Sequence, residues 1–320
     1  MMRRTVCALA LCAAAWGQPV EAQDGAGSAG AVILQMVAGG RAAGLSGAYA
    51  AATGDADVAF YNPAGLASVN AAAAFSYEQR VEDIGLASGS GAFTFGRFTF
   101  GVSALFLDYG DIDEYVPDPS FGGQTGMPTG NTVSASEVAA RVTAATPLLD
   151  GRLTVGASAG LVSVDLAGVG RSTPLFDVGA QYALPFGTVG ASLRNIGSKL
   201  SGEDLADAPL PSQLRVGTAI ELASASGLGA LVAADLVAEL AEGTTGVVAG
   251  IEAGLLPSAS GRIGAVGRVG FNGAAGEDAL GTLQLGAGLS LGAFAVDYAY
   301  QNYDFFGALH RVGIRWARLP

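Results

Sequence analysis

Charged residues inside otherwise apolar segments are the residues of this chain most able to do chemistry. Asp297 lies between Val296 and Tyr298, and Arg315 lies between Ile314 and Trp316. Successive side chains of a β-strand point to opposite faces, so such charges would share one face. Acids and arginines on one face can form ion pairs. The candidates for this shared face are Asp177, Arg194, Arg215, Asp235, Glu252, Arg268, Asp297, Arg311 and Arg315.

Catalytic chemistry has few candidates beside these charges. The only histidine is His310, near the end of the last apolar segment, and the only cysteines are Cys7 and Cys12. Zinc and iron–sulfur sites therefore lack their usual ligands. The glycine spacing of 261–267 matches a dinucleotide-binding loop but lies inside an alternating segment with no following helix. The sequence predicts a protein that is not an enzyme, with no cofactor and no metal site.

The N-terminus is typical of a secretory signal peptide over residues 1–22. Arg3 and Arg4 precede an apolar run, and small residues lie at the expected positions before cleavage. The run is too short to span a bilayer. Because both cysteines lie in this segment, the exported chain would contain no thiol.

The composition indicates a membrane protein without membrane helices. Half of the residues are hydrophobic and the mean hydropathy is +0.42. Yet no segment offers the roughly 18 uninterrupted apolar residues of a membrane helix, since the longest, 228–240, contains Asp235 and Glu239. The net charge of −12 argues against nucleic acid as a partner. An exported hydrophobic chain of this kind predicts a β-barrel in the bacterial outer membrane, with outer-membrane lipid around it.

Two-residue alternation predicts about 14 antiparallel strands closed into a transmembrane barrel over residues 70–320. An even number is what closed bacterial barrels require. Connections alternate between short turns and longer loops, as expected for periplasmic turns and external loops. The predicted strands are 71–80, 86–95, 98–108, 132–147, 152–165, 174–184, 187–197, 212–222, 228–240, 245–256, 261–271, 281–291, 293–303 and 308–317.

The charges test this assignment, because a charge facing lipid costs a few kcal/mol, roughly 2–4 at the bilayer centre. In nearly every predicted strand the charged residues share one parity and the large apolar residues share the other. The exception is 152–165, where Leu161 and Val162 point opposite ways. The charges are therefore expected to face the lumen.

Residues 23–69 differ from the strands and are predicted to form a small, partly helical plug inside the barrel. Residues 41–52 are alanine-rich enough to turn helically, and Asp55 or Asp57 can cap a second short helix over 58–61. Asn62-Pro63 forces a turn after it. The plug motif comprises Arg41, Gly44, Asp55, Asp57, Asn62, Pro63 and Ala64, and Arg41 is a candidate partner for the lumen acids.

This motif resembles the N-terminal signature of the PorV/PorQ family, within the wider FadL-like group of plugged outer-membrane barrels. Segments 177–182, 190–197, 210–217, 297–300 and 309–314 are also similar to motifs of that family, so the resemblance covers most of residues 33–316. The chain departs from the pattern by continuing past Trp316 to Pro320.

The resemblance implies an accessory of a type IX-like secretion system, with a translocon and exported cargo proteins as partners. An alternative is FadL-like passive transport of a hydrophobic small molecule, against which the charged inner face counts mildly. A structural barrel is the third possibility. Acidic outer loops such as that with Asp111 and Asp113 could bind divalent cations, although solvated loop charge is the simpler account.

Overall fold

A computed structural model describes residues 29–80, 84–202, 205–223, 227–255, 263–273, 283–302 and 307–318. The predicted signal peptide, both cysteines and residues 23–28 of the predicted plug lie outside the described residues.

The described strands form a closed antiparallel barrel of 14 strands, as predicted. Consecutive strands of the wall pair with one another, and the first strand, Ala71–Gln79, pairs with the last, Ala308–Ala317, to close the barrel. Strands β8 and β9 form a separate two-stranded sheet between β7 and β10. The strands are β1 Ala71–Gln79, β2 Gly85–Phe95, β3 Phe98–Pro117, β4 Gly126–Leu148, β5 Leu153–Leu166, β6 Val169–Leu184, β7 Gly187–Gly197, β8 Leu200–Gly202, β9 Leu205–Ala208, β10 Gln213–Ala223, β11 Leu228–Glu239, β12 Thr244–Leu255, β13 Ile263–Asn272, β14 Leu283–Leu291, β15 Phe294–Asn302 and β16 Ala308–Ala317.

We call the end of the barrel where β1 begins the inner end, and the end where β1 finishes the outer end. At the outer end β3 and β4 continue well past their neighbours as a hairpin, where the sequence predicted a loop over 109–131. Pairing resumes after an irregularity at Asp108 and joins Ile112 to Val133 and Val116 to Met127. The glycines and prolines of this region hid the pairing, because they interrupt the strand pattern.

The two faces of the wall follow the predicted parity. Arg141 is 3% exposed while the adjacent Val142 is 62% exposed. In the ambiguous strand β5, Leu161 points outward and Val162 is fully buried inside. Phe93, Phe98 and other outward phenylalanines cluster at the inner end, as in the aromatic girdles of membrane barrels. In the described part of the chain no helix has the length and apolar character to cross a membrane.

The lumen holds the N-terminal segment, whose helical elements are short. They are the 3-10 helices Val32–Leu34, Ala56–Phe60 and Pro63–Ser68 and the single-turn helix α1, Gly40–Ala43.

The predicted helix over 41–52 is wrong beyond its first turn. Ser46 and Gly47 adopt positive φ, and the backbone amides of Tyr49 and Ala50 donate to a wall carboxylate, Asp235, instead of to a helix. Asp55 takes the position before the next helix without capping it. Contacts with the wall therefore override local helix propensity.

Glycines of the wall let the plug backbone approach closely. At inward positions of eight strands, a Cβ would lie within 3.3 Å of plug atoms. The contacts are Gly101 with Leu66, Gly156 with Pro63, Gly179 with Asn62, Gly190 with Ala50, Gly250 with Leu45, Gly270 with Ser46, Gly286 with Gly44 and Gly313 with Gly40. The glycine content of the wall thus serves the plug as well as the turns.

We expect Gly190→Ala to destabilise the protein by about 1–3 kcal/mol, since its methyl group would overlap the backbone of Ala50 and Ala51. Gly89→Ala is the matched control, because its Cβ would have no neighbour within 4 Å. Urea unfolding in detergent, followed by tryptophan fluorescence, measures both. Equal midpoints for the two variants would contradict the close fit.

Candidate functional site: the plugged lumen

Five of the charges predicted to meet in the lumen form a closed ring with Asp55, which the sequence predicted as a helix cap; we call these six residues the ionic ring. Two belong to the plug and four to the wall. The ring runs from Arg41 to Glu252 (2.9 Å), Arg268 (2.5 Å), Asp297 (2.9 Å), Arg315 (2.5 Å) and Asp55 (3.7 Å), and Asp55 closes it on Arg41 (3.2 Å).

The ionic ring is buried and electrically balanced. Its side chains are 0–19% exposed, and its three arginines face three carboxylates. The plug pair is neutral by itself, and so is the group of four wall residues. A buried charge that loses its partner costs several kcal/mol, roughly 3–5. The ring therefore joins plug to wall by two cross-contacts, Arg41 to Glu252 and Arg315 to Asp55.

A second group of wall charges holds the plug backbone. Asp235 accepts from the amides of Tyr49 and Ala50, both at 2.9 Å. Arg215 donates to the Gly47 carbonyl at 2.9 Å and lies 3.5 Å from Asp235. These bonds satisfy backbone groups that have no helix to satisfy them.

Asn62 of the predicted turn anchors the plug to the β6–β7 hairpin. Its amide donates to the carbonyls of Ala50 (2.7 Å), Ala180 (3.1 Å) and Ala191 (3.3 Å). Its oxygen accepts from the Ala64 amide and caps the following helix, which Pro63 begins. The side chain of Asn62 therefore bonds to the plug and to the wall at the same time.

The remaining predicted charges lie elsewhere in the lumen. Arg311 pairs with Glu78 at 2.6 Å and donates to the Val37 carbonyl. Asp177 pairs with Arg141 at 2.9 Å at a bulge between β6 and β7.

Arg194 differs from these charges, because within the described chain it forms no ion pair. Instead it bonds to Gln213 and lies over the ring of Tyr61.

The sequence missed an apolar sector of the lumen. In the outer half of the barrel, strands β2, β3, β5 and β6 point aliphatic side chains inward, and each of these side chains is at most 5% exposed. We call this group the apolar chamber; its residues are Leu86, Leu105, Leu107, Val162, Val164 and Leu175. The outward side chains of these strands are apolar as well, so the alternation of residue types did not show which side chains point into the lumen.

The start of the described chain fills the apolar chamber. Ile33 and Leu34 are 0% and 2% exposed and belong to the same hydrophobic cluster. The Ile33 amide donates to the buried carboxylate of Glu137 (2.9 Å), which also accepts from Tyr109 (2.8 Å). This segment therefore occupies the chamber, and the bond from Ile33 to Glu137 fixes it to the chamber wall.

The outer opening of the chamber is covered. Gly30 donates to the Pro209 carbonyl at 2.9 Å and packs beneath Leu200 of β8, which is 1% exposed. Two cavities between plug and wall have volumes of only about 10 Å³ each. That is about the space of one water molecule.

Asp57 adds one more acid beside the ionic ring. Ser90 of β2 donates to it at 2.6 Å, and within the described chain it has no ion-pair partner. Burial, and then the neighbouring Asp55, raise the pKa of Asp57 to about 7. Near neutral pH this carboxyl is therefore partly protonated, which keeps the surroundings of the ring close to neutral.

Comparison with known proteins identifies the fold. No protein-family model and no curated protein matches the chain. The Ralstonia pickettii toluene transporter TbuX superposes with a TM-score of 0.59 at 16% identity, over 88% of this chain and 98% of that one. The CymD monoaromatic hydrocarbon channel gives 0.58 at 13% identity, over 88% and 98%. A Pseudomonas aeruginosa FadL homologue gives 0.57 at 12%, over 87% and 98%. The chain is thus a plugged barrel of the outer-membrane type.

We expect Arg41→Gln to loosen the plug, since it leaves one excess negative charge in the ionic ring; the cost is on the order of 3 kcal/mol. The charge-balanced variant Arg41→Gln/Asp55→Asn should recover most of that loss. Labelling of a cysteine introduced by Ala59→Cys, a buried plug position, with a water-soluble maleimide measures plug opening. Arg97→Gln, on an exposed inner turn, is the control. A double variant labelled faster than the single would contradict a role for charge balance.

The raised pKa of Asp57 predicts that the stability of the closed plug depends on pH. Its folded pKa of about 7 lies above the unfolded value of about 3.9, so its stabilising contribution is complete below about pH 4 and is lost as the pH rises through 7. Because maleimide reacts with the thiolate, the labelling rate at Ala59→Cys is divided by the rate for the unfolded protein at the same pH. This normalised rate should accelerate between pH 5 and pH 8.5. Asp57→Asn should remove that acceleration, whereas Asp111→Asn on the outer hairpin should keep it. Identical pH profiles with and without Asp57 would refute this assignment.

Proposed function

We propose that this protein is an outer-membrane transporter that admits small hydrophobic molecules into its lumen. The observation that carries the proposal is the apolar chamber, a set of inward aliphatic side chains at the outer end of an otherwise charged lumen. Ligand sites are typically apolar concavities with a few placed polar groups. Here Glu137 and Tyr109 are those polar groups.

The structural neighbours support transport over secretion. Their names describe a toluene transporter and a monoaromatic hydrocarbon channel. No comparison supports the PorV/PorQ resemblance or a secretion partner. The charged inner face counted against a hydrophobic ligand, but its charges are paired or hydrogen-bonded within the lumen, and the inward side chains of the chamber are aliphatic apart from Glu137 and Tyr109.

Entry of a ligand requires the N-terminal segment to move. Ile33 and Leu34 already occupy the chamber as two aliphatic side chains would in a folded core. Burying each of them stabilises the closed state by roughly 1.5–3 kcal/mol. A neutral hydrophobic molecule of similar size that replaced them would bury the same wall residues. The free energy of burial that Ile33 and Leu34 lose is then close to what the ligand gains, apart from the hydrogen bond between Ile33 and Glu137.

The ligand class follows from the charges of the chamber. The carboxylate of Glu137 is already bonded to the Ile33 amide and the Tyr109 hydroxyl. An anionic ligand would meet that carboxylate in an apolar setting, where like charges repel strongly. A neutral hydrocarbon or aromatic compound avoids this repulsion.

We expect Ile33→Ala/Leu34→Ala to increase uptake of radiolabelled toluene into proteoliposomes several-fold, because it empties part of the chamber. Val32→Ala is the matched control, since Val32 lies between these residues and Ala31 but is 44% exposed. Equilibrium toluene binding to the detergent-solubilised protein should rise in parallel. If the double variant and the control took up and bound toluene equally, the chamber would not be the ligand site.

A separate experiment distinguishes transport from secretion. Affinity purification of the tagged barrel from native outer membranes, followed by mass spectrometry, should recover no translocon subunit. Recovery of a large translocon protein, or of exported proteins that share one C-terminal domain, would overturn the transport proposal.

A further inference from the structure

A polar aromatic patch lies on the lipid-facing side of the barrel, at the outer end of β15, β16 and β1. His310 is paired across the strands with Tyr300 on one side and Gln79 on the other. The Tyr298 hydroxyl lies 2.7 Å from Nδ1 of His310, and the Tyr77 hydroxyl donates to Gln79 at 2.9 Å. We call these five residues the tyrosine–histidine patch.

The patch differs from the rest of the outer wall. Strands elsewhere present aliphatic or phenylalanine side chains at this height, such as Phe106, Phe176 and Phe271. Three of the nine tyrosines and the only histidine of the chain converge here. Towards the inner end, the same strands return to apolar residues, for example Phe75 and Ile314. The patch therefore marks one sector of the boundary between the hydrocarbon layer and the outer headgroups.

The hydrogen-bonding groups of the patch are only partly used. Among the described residues, neither Nε2 of His310 nor the amide nitrogen of Gln79 has a protein partner. Gly85 leaves room beside the Tyr77 hydroxyl, which a Cβ there would approach to 2.9 Å. The patch thus offers ring faces, a donor and an amide at the level of the headgroups.

We propose that the tyrosine–histidine patch binds the sugar headgroup of a glycolipid in the outer leaflet. Aromatic faces pack against the C–H face of a sugar ring, while imidazole, carboxamide and phenol groups bond its hydroxyls. The position at the outer end of the strands places the patch in that leaflet. A phosphate group fits less well, because the two arginines adjacent to the patch in the chain, Arg80 and Arg311, are both already paired with Glu78.

Native mass spectrometry of the protein released from nanodiscs tests this site. With equal amounts of a monoglucosyl diacylglycerol and phosphatidylcholine, the wild type should retain the glycolipid about five-fold over the phospholipid. Gln79→Leu/His310→Phe keeps the surface amphipathic but removes the unpaired groups, and should retain the two lipids equally.

Tyr182→Phe is the control, because Tyr182 is an outward tyrosine at the inner end of β6. Heat-dependent mobility on electrophoresis verifies that each barrel is folded. Equal lipid retention by the wild type, or unchanged glycolipid preference in the double variant, would overturn the proposal and leave the patch as an aromatic girdle only. A glycolipid preference lost in Tyr182→Phe would also overturn it.

Discussion

The ionic ring is the interaction on which the plugged state depends. Arginines and carboxylates inside a barrel are poorly hydrated once a plug fills the lumen, so each needs a partner. Here the partners come from both sides of the plug–wall boundary, through Arg41 and Asp55 on the plug and Glu252 and Arg315 on the wall. The ring therefore fixes where the plug lies, because any other position would separate those charges.

Close packing between plug and wall fixes the position of the plug more precisely than the ionic ring alone. Charges act over several ångströms and leave the plug free to shift slightly, whereas backbone-to-backbone contact does not. Wall glycines such as Gly179 and Gly190 bring the plug within bonding distance of Asp235 and of the strand carbonyls to which Asn62 donates. The plug forms little regular helix because its amides and carbonyls find their partners on the wall. Its fold is thus a property of the whole barrel.

Local alternation made much of the barrel predictable from sequence. Each strand carries its own two-residue pattern, and one charge such as Asp297 orients the strand. The ionic ring could not be predicted from local alternation, because Arg41 and Glu252 are 211 residues apart in the chain and no local pattern indicates that they pair. The chamber was missed because Leu105 and Leu107 alternate with an equally apolar Phe106. The PorV/PorQ resemblance rested on the plug motif and on wall segments, two of which contain Gly179 and Gly190, glycines that contact the plug. Any plugged barrel needs such contacts, so they do not distinguish secretion from transport.

The division of the lumen into a charged and an apolar sector separates two movements. A ligand shifts a conformational equilibrium only through its different affinities for the two states. A hydrophobic molecule can replace Ile33 and Leu34 in the chamber, but it offers nothing to Arg41 or to the amides held by Asp235. Under the proposed transport function, ligand entry displaces the N-terminal segment without releasing the plug, and passage beyond the chamber needs a second event in which the plug withdraws. The composition of the ionic ring lowers the free-energy cost of plug withdrawal. The plug pair and the group of four wall residues are each neutral, so separating them leaves no net charge of the ring on the plug or on the wall.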